Sequence, residues 1–260
     1  MKILFIGDIV SSSARSVLKK LLPELRSEHG IDIVIANGEH LSDRVGVDAE
    51  TVEEMTRAGI DFFTTGNHVW RQKDFADKLE KRNLPVIRPA NFLHGTPGDG
   101  YRVINTSFGK LLVINLLGQH EIKTNATSPF LTADEIIAAN PDCKYIFVDF
   151  HAEMSSEKVA LGRYLDGRVS AVVGTHIHVP TADARVLSGG TAVVTDVGFT
   201  GPAESILGVR EDIIFQTFIS SMPQKFELAD GPIQLNSVLI DLGSDGKAKS
   251  IIRIDKVVSV

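Results

Sequence analysis

Five times along the chain a short apolar run ends in polar residues of one chemical kind. Ile3-Leu4-Phe5-Ile6 leads into Gly7-Asp8. Residues 31–36 lead into Asn37-Gly38-Glu39-His40, and residues 60–65 into Gly66-Asn67-His68. Tyr145-Ile146-Phe147-Val148-Asp149-Phe150 runs into His151, and Ser170-Ala171-Val172-Val173 into Gly174-Thr175-His176-Ile177-His178. Each run is short, rich in β-branched and aromatic residues, and bounded by turn chemistry. Each therefore predicts a buried strand. In open α/β sheets ligands gather at the carboxyl ends of strands, which is where these polar groups fall.

Between the runs the apolar period changes. Val17, Leu18, Leu21, Leu22 and Leu25 make one helical face within residues 11–29; Pro23 predicts a kink or a break, and Gly30 a stop. Residues 41–46 read as a polar loop and residues 48–58 as a helix stopped by Gly59. Residues 71–81 read as a helix with a solvated charged face, followed by a loop over 85–100 rich in Pro, Gly and Asn. Residues 101–106 and 110–117 predict a hairpin about Phe108-Gly109. Thr132 and Glu135 form a capping-box pair that would open a helix ending near Asn140. A helix is expected over 155–165, a strand over 191–195 and an amphipathic helix over 210–221. Residues 233–242 and 249–257 predict a second hairpin about Asp245-Gly246.

Strand and helix alternate in the first half, and hairpins follow. The expected fold class is α/β, with two packed sheets flanked by helices. No repeat or linker breaks the chain, so residues 1–260 are expected to form a single domain.

Composition narrows the function. A net charge of −6 argues against broad binding to a nucleic-acid backbone. No aromatic stacking motif supports an RNA-binding module. The single cysteine, Cys143, rules out an intrachain disulfide and a thiolate metal site. Neither a secretion leader nor a run long enough for a membrane span is visible, so the cytoplasm is the expected compartment and no membrane partner is expected.

Taken singly, Asp8 reads as a cap, Asn67 as a turn residue, and His151 with Glu153 as a salt-bridged pair. Together, five strand ends carry carboxylates, imidazoles and one amide. That set suits Mn, Fe, Zn or Co better than Ca or Mg. It exceeds what one four-coordinate ion needs, so a dinuclear site is expected, with a bridging carboxylate and a bridging hydroxide. Such a pair suits phosphate-ester hydrolysis, with an imidazole protonating the leaving alkoxide. Asp149, Asp183 and Asp196 are candidates for orienting the ligand imidazoles.

The same residues resemble the calcineurin-like metallophosphoesterases: Gly7-Asp8, Gly38-Glu39, Gly66-Asn67-His68, Asp149-Phe150-His151 and Gly174-Thr175-His176-Ile177-His178. The nearer resemblance is to a compact bacterial branch, the 2′,3′-cyclic-nucleotide 2′-phosphodiesterases. It is carried also by Arg88-Pro89-Ala90-Asn91-Phe92, Gly95-Thr96-Pro97-Gly98, His151-Ala152-Glu153 and Thr200-Gly201-Pro202. The resemblance implies a four-layer αββα sandwich. It implies that Asp8, Glu39, His40 and His178 bind one metal ion, that Glu39 bridges, and that Asn67, His151 and His176 complete the second. It makes His68 the proton donor. The implied cofactors are two divalent or trivalent ions, Fe or Mn ahead of Zn. The implied substrate is a small phosphoester, a 2′,3′-cyclic nucleotide first, and a homo-oligomer is left open. A broad phosphomonoesterase and a regulatory nucleotide-sensing protein are the alternatives. Two positions depart from the branch. His40 stands where Asn is usual, and Ser11-Ser12-Ser13-Ala14-Arg15 replaces a glycine-containing loop.

Overall fold

The computed structural model describes residues 1–43 and 46–259. In chain order the elements are β1 (Lys2–Ile6), β2 (Asp8–Ile9), α1 (Ser12–His29), β3 (Ile33–Asn37), α2 (Ala49–Arg57), β4 (Phe62–Thr64) and α3 (Phe75–Glu80). Then follow β5 (Tyr101–Thr106), β6 (Gly109–Leu117), α4 (Pro129–Ala139), β7 (Tyr145–His151), α5 (Ser155–Tyr164), β8 (Ala171–Thr175), β9 (Arg185–Val186) and β10 (Ala192–Val194). β11 (Phe199–Pro202), α6 (Glu211–Ser220), β12 (Ile233–Leu235), β13 (Ser237–Leu242), β14 (Ala248–Arg253) and β15 (Lys256–Val258) complete the chain. Of the loop expected over 41–46, residues 44 and 45 lie outside the described residues.

The strands form a five-stranded sheet in the order β14-β13-β1-β3-β4 and a six-stranded sheet in the order β5-β6-β7-β8-β10-β9. The expectation of two sheets is corrected by a third, of four strands, ordered β15-β12-β11-β2. The continuous apolar runs are explained by burial on both faces. Along β1, Ile3 and Phe5 join a layer that also holds Val113, Phe147, Val173 and Val194 of the six-stranded sheet. The alternate residues, Leu4 and Ile6, pack instead with Val17, Leu18 and Leu22 of α1 and Met55 of α2. On the far face of the six-stranded sheet, Leu112, Ile114 and Val148 pack with Ala133 and Ile136 of α4 and Leu161 of α5. No described helix is long and apolar enough to cross a membrane.

Several local expectations shift. α1 runs through Pro23 as one helix. Pro23 faces solvent, where water can satisfy the carbonyl its missing N–H leaves bare. Ser11 is the N-cap of α1, accepting from Ala14 N at 3.0 Å. Ser11-Ser12-Ser13-Ala14-Arg15 is thus the start of a helix and not a loop. α3 is shorter than the 71–81 span. α4 opens at Pro129 behind Ser128, not at Thr132, since proline is pre-set for the first helical position. The segment 233–242 is two strands in two sheets, divided at Asn236. Its carbonyl accepts from Gly7 N at 3.0 Å, joining the turn to the chain just before Asp8.

Candidate metal centre

The polar ends of β1, β3, β4, β7 and β8 meet at one place. Two sets of ligand-type atoms lie within 4.8 Å of one another: Asp8 with His40 and His178, and Glu39 with His151 and His176. Glu39, His40 and His68 form a third, overlapping set. Remote backbone segments come close here because they lack side chains. A Cβ on Gly66 would lie 2.4 Å from His151 Nε2 and 2.5 Å from Glu39 Oε2. A Cβ on Gly7 would meet the Gly198 carbonyl at 2.1 Å, and one on Gly174 the Thr195 carbonyl at 1.8 Å.

The imidazoles are aimed by partners behind them. Thr175 Oγ1 donates to Asp149 Oδ1 at 2.8 Å, so its contact with His151 Nδ1 at 2.9 Å must be one it accepts. His151 therefore carries a proton on Nδ1, and Nε2 is the nitrogen that faces the centre. That nitrogen lies 2.5 Å from Glu39 Oε2 and 3.0 Å from His176 Nδ1. His176 Nε2 lies 3.0 Å from Glu153 Oε2, which fixes the opposite tautomer and leaves Nδ1 facing the centre. His178 Nε2 is 3.7 Å from Asp8 Oδ1. The His40 ring sits between those of His68 and His178, with centroids 5.0 and 5.3 Å away.

The turn that delivers His176 and His178 holds both in positive-φ backbone, at 102° and 62°, conformations non-glycine residues adopt only when their surroundings enforce them. The enforcement is visible. Asp8 Oδ2 accepts from His176 N at 3.3 Å, and buried Asp196 accepts from Ile177 N at 3.2 Å.

Beneath the centre, Asn37 accepts the Glu39 amide at 2.9 Å and donates to Asp149 Oδ2 at 3.0 Å. Thr64 also donates to Asp149. Asn37, Thr64 and Thr175 were not singled out from the sequence. Each stands at or next to the polar end of a run, a weak signal that gains meaning only from its neighbours.

Burial alone would raise the carboxyls of Asp8 and Glu39. The surrounding imidazoles, His178 foremost for Asp8 and His151 for Glu39, instead hold both well below the usual carboxylate range. Burial disfavours charge on His151, yet Glu39, Asp8 and Asp149 push it up to about 9. Burial, with the charge on His151, pushes His176 down to about 3. Burial lifts Asp149 to about 6, against His151 and its hydrogen bonds. The carboxylates are thus arranged to face positive charge. Among the described residues, the buried Asp8 Oδ1 and Asn67 Oδ1 accept no hydrogen bond. Converging carboxylate oxygens and imidazole nitrogens fit metal binding.

A family model described as "YmdB-like protein" matches residues 4–254. The chain belongs to the YmdB-like family. This YmdB-like chain is 43% identical, over 99% of its length and 96% of the other protein, to the 2′,3′-cyclic-nucleotide 2′-phosphodiesterase of Bacillus subtilis (strain 168). A crystal structure of a phosphatase from Mycoplasma pneumoniae superposes with a TM-score of 0.92 at 33% identity, covering 100% of this chain and 94% of that one. A hypothetical protein from Thermus thermophilus superposes with a TM-score of 0.91 at 35% identity, covering 99% and 100%. The expectation of an enzyme, ahead of a sensing or RNA-binding module, agrees with the Bacillus subtilis phosphodiesterase and the Mycoplasma pneumoniae phosphatase.

Proposed function

We propose that this protein is a dinuclear metal-dependent phosphodiesterase that hydrolyses small nucleotides, 2′,3′-cyclic ones first. Asp8, Glu39, His40 and His178 would hold one ion. Glu39, Asn67, His151 and His176 would hold the other. The observation that carries this reading is the convergence of two carboxylate–imidazole sets, with the ring nitrogens aimed at the centre by partners behind them. In the same reading residues 1–260 form one domain of four αββα layers, supported by the apolar layer shared between the large sheets and the helices packed outside each.

When bound, two such ions would supply a nucleophile from water and neutralise charge on the phosphorus oxygens. The donor set suits Fe, Mn and Zn alike; the resemblance to the calcineurin-like metallophosphoesterases puts Fe and Mn first. The chain's own residues do the rest. His68 is partly exposed at the rim, and its Nδ1 is 3.6 Å from Glu39 Oε1. Its Nε2 is 3.0 Å from Arg71 Nη2. A guanidinium only donates, so Nε2 accepts in this arrangement. For His68 to give a proton from Nε2, Arg71 must turn to another acceptor, and the phosphate is one. A 2′-phosphodiesterase breaks the bond to the 2′-oxygen, so His68 would protonate that oxygen and leave a nucleoside 3′-phosphate.

The test is hydrolysis of 2′,3′-cyclic AMP with and without Mn²⁺ and Fe²⁺, with the product resolved by chromatography. Metal-dependent release of 3′-AMP is expected. No metal-dependent turnover of this substrate or of an aryl phosphodiester would reject the reading. The phosphatase relative keeps a monoesterase as the second reading, which faster turnover of monoesters than diesters would select.

A further inference from the structure

Beside the candidate metal centre opens a cavity of about 400 Å³, walled by His40, His68, Arg71, Phe226 and Leu228 with Asp43 and Glu227 at its edge. Its size falls in the range of small-ligand sites. Among the described residues, two features of its wall have no structural task in the fold. Phe226 is 55% exposed, outside every apolar cluster of the core. It is nevertheless held in place, because the residues after it are tied down. Glu227 O accepts from Arg210 N at 3.0 Å, Leu228 bridges to Val209, and Ala229 N donates to Gly208 O at 3.0 Å. Arg71 is exposed, and its guanidinium reaches the ring of His68.

The carboxylates at the edge are already engaged. Asp43 accepts from Ser12 N at 2.6 Å, and Glu227 pairs with Arg210 at 3.2 Å. The wall therefore offers a ligand one cation close to the reacting end and one aromatic face further out. That is the complement of a nucleotide: an anionic phosphate at one end and a flat, apolar base at the other. Aromatic side chains bind bases of any sequence through their π-faces.

We propose that this cavity is the nucleoside subsite, in which Phe226 stacks on the base and Arg71 bonds the phosphate as it enters. Phe226 is then a specificity-determining residue, setting nucleotides above phosphodiesters without a base. This rests on the phosphodiesterase reading for its position beside His68, but base binding can be measured without turnover.

Two measurements on metal-loaded protein test it. In the first, kcat/KM is compared for 2′,3′-cyclic AMP and for the 2′,3′-cyclic phosphate of methyl riboside, which lacks a base. The preference for the base-bearing substrate should fall about tenfold in Phe226→Ala and return in Phe226→Trp, as expected for loss and recovery of one stack. Arg71→Gln should lower kcat/KM on both substrates alike. In the second, calorimetry follows binding of adenosine 3′-monophosphate, which Phe226→Ala should weaken by a similar factor. An unmoved substrate preference, or binding unaffected by Phe226→Ala, overturns the subsite. If no variant or wild-type protein turns over either substrate while binding still depends on Phe226, the hydrolase reading fails and the subsite stands.

Discussion

Lys158 Nζ donates to Asp196 Oδ2 at 2.7 Å, with both side chains almost wholly buried, and the same oxygen accepts the Ile177 amide at 3.2 Å. Asp196 Oδ1 accepts from Gly198 N at 2.8 Å. One carboxylate thus ties α5 to the turn that carries His176 and His178. Burial raises the Asp196 carboxyl, and Lys158 opposes this. Lys158→Met would leave the buried carboxylate without its partner. A loss of about 3–5 kcal/mol is expected, read by urea unfolding, with less metal retained per chain by elemental analysis. Unchanged stability together with full metal content would remove the pair from this role.

The Thr175 hydroxyl links His151 to Asp149. Thr175→Val keeps the shape of the side chain but removes the acceptor for His151 Nδ1–H. Metal affinity should fall roughly 10–100-fold, measured by titration of the apoprotein. The far-ultraviolet spectrum should be unchanged.

His68→Ala should lower kcat by roughly 10²–10⁴-fold, the usual worth of a positioned proton donor. Metal content should stay at the wild-type level if His68 serves the leaving group and not the ions. Loss of metal in this variant would instead favour the overlapping set of Glu39, His40 and His68 as a binding site.

Chelation followed by dialysis should abolish turnover and lower the melting temperature, and Mn²⁺ should restore both. At 100 times the dissociation constant one bound ion adds about 2.7 kcal/mol to stability. A melting temperature indifferent to chelator and to added metal would contradict the centre as drawn.

Asp48 tests the fold apart from the site. It is the N-cap of α2, accepting from Thr51 N at 2.8 Å. Burial would raise its carboxyl, but hydrogen bonds from Ser42 and Thr51 outweigh this and lower it. A carboxyl lowered in the folded state adds stability above its unfolded pKa, near 3.9, and loses it as pH falls through the folded value. Asp48→Ala should therefore cost about 1 kcal/mol at pH 7. The gap between variant and wild type in urea should narrow below pH 4.

Much of the site was legible because metal ligation demands unusual side chains at recognisable strand ends. Asp8, Glu39, His40, Asn67, His68, His151, His176 and His178 all stand where a buried run stops. What aims them was less legible. Asn37 and Thr64 look like any polar residue at a strand end, and Phe226 like any apolar residue in an irregular segment. The three-sheet arrangement was hidden for a related reason. Residues 233–242 keep one apolar pattern while changing sheets at Asn236, and a hydrophobic period does not record which neighbour a strand pairs with.

The order of residues determined the α/β alternation, the double-sided burial of the central strands and the inventory of ligands, because these follow from local periodicity and side-chain chemistry. Tertiary structure decided which ring nitrogens face the centre, which backbone is held at positive φ, and that Arg71 and Phe226 share a cavity with His68. Those relations join groups distant along the chain, and they exist only once Gly7, Gly66 and Gly174 let the strand ends close on one another.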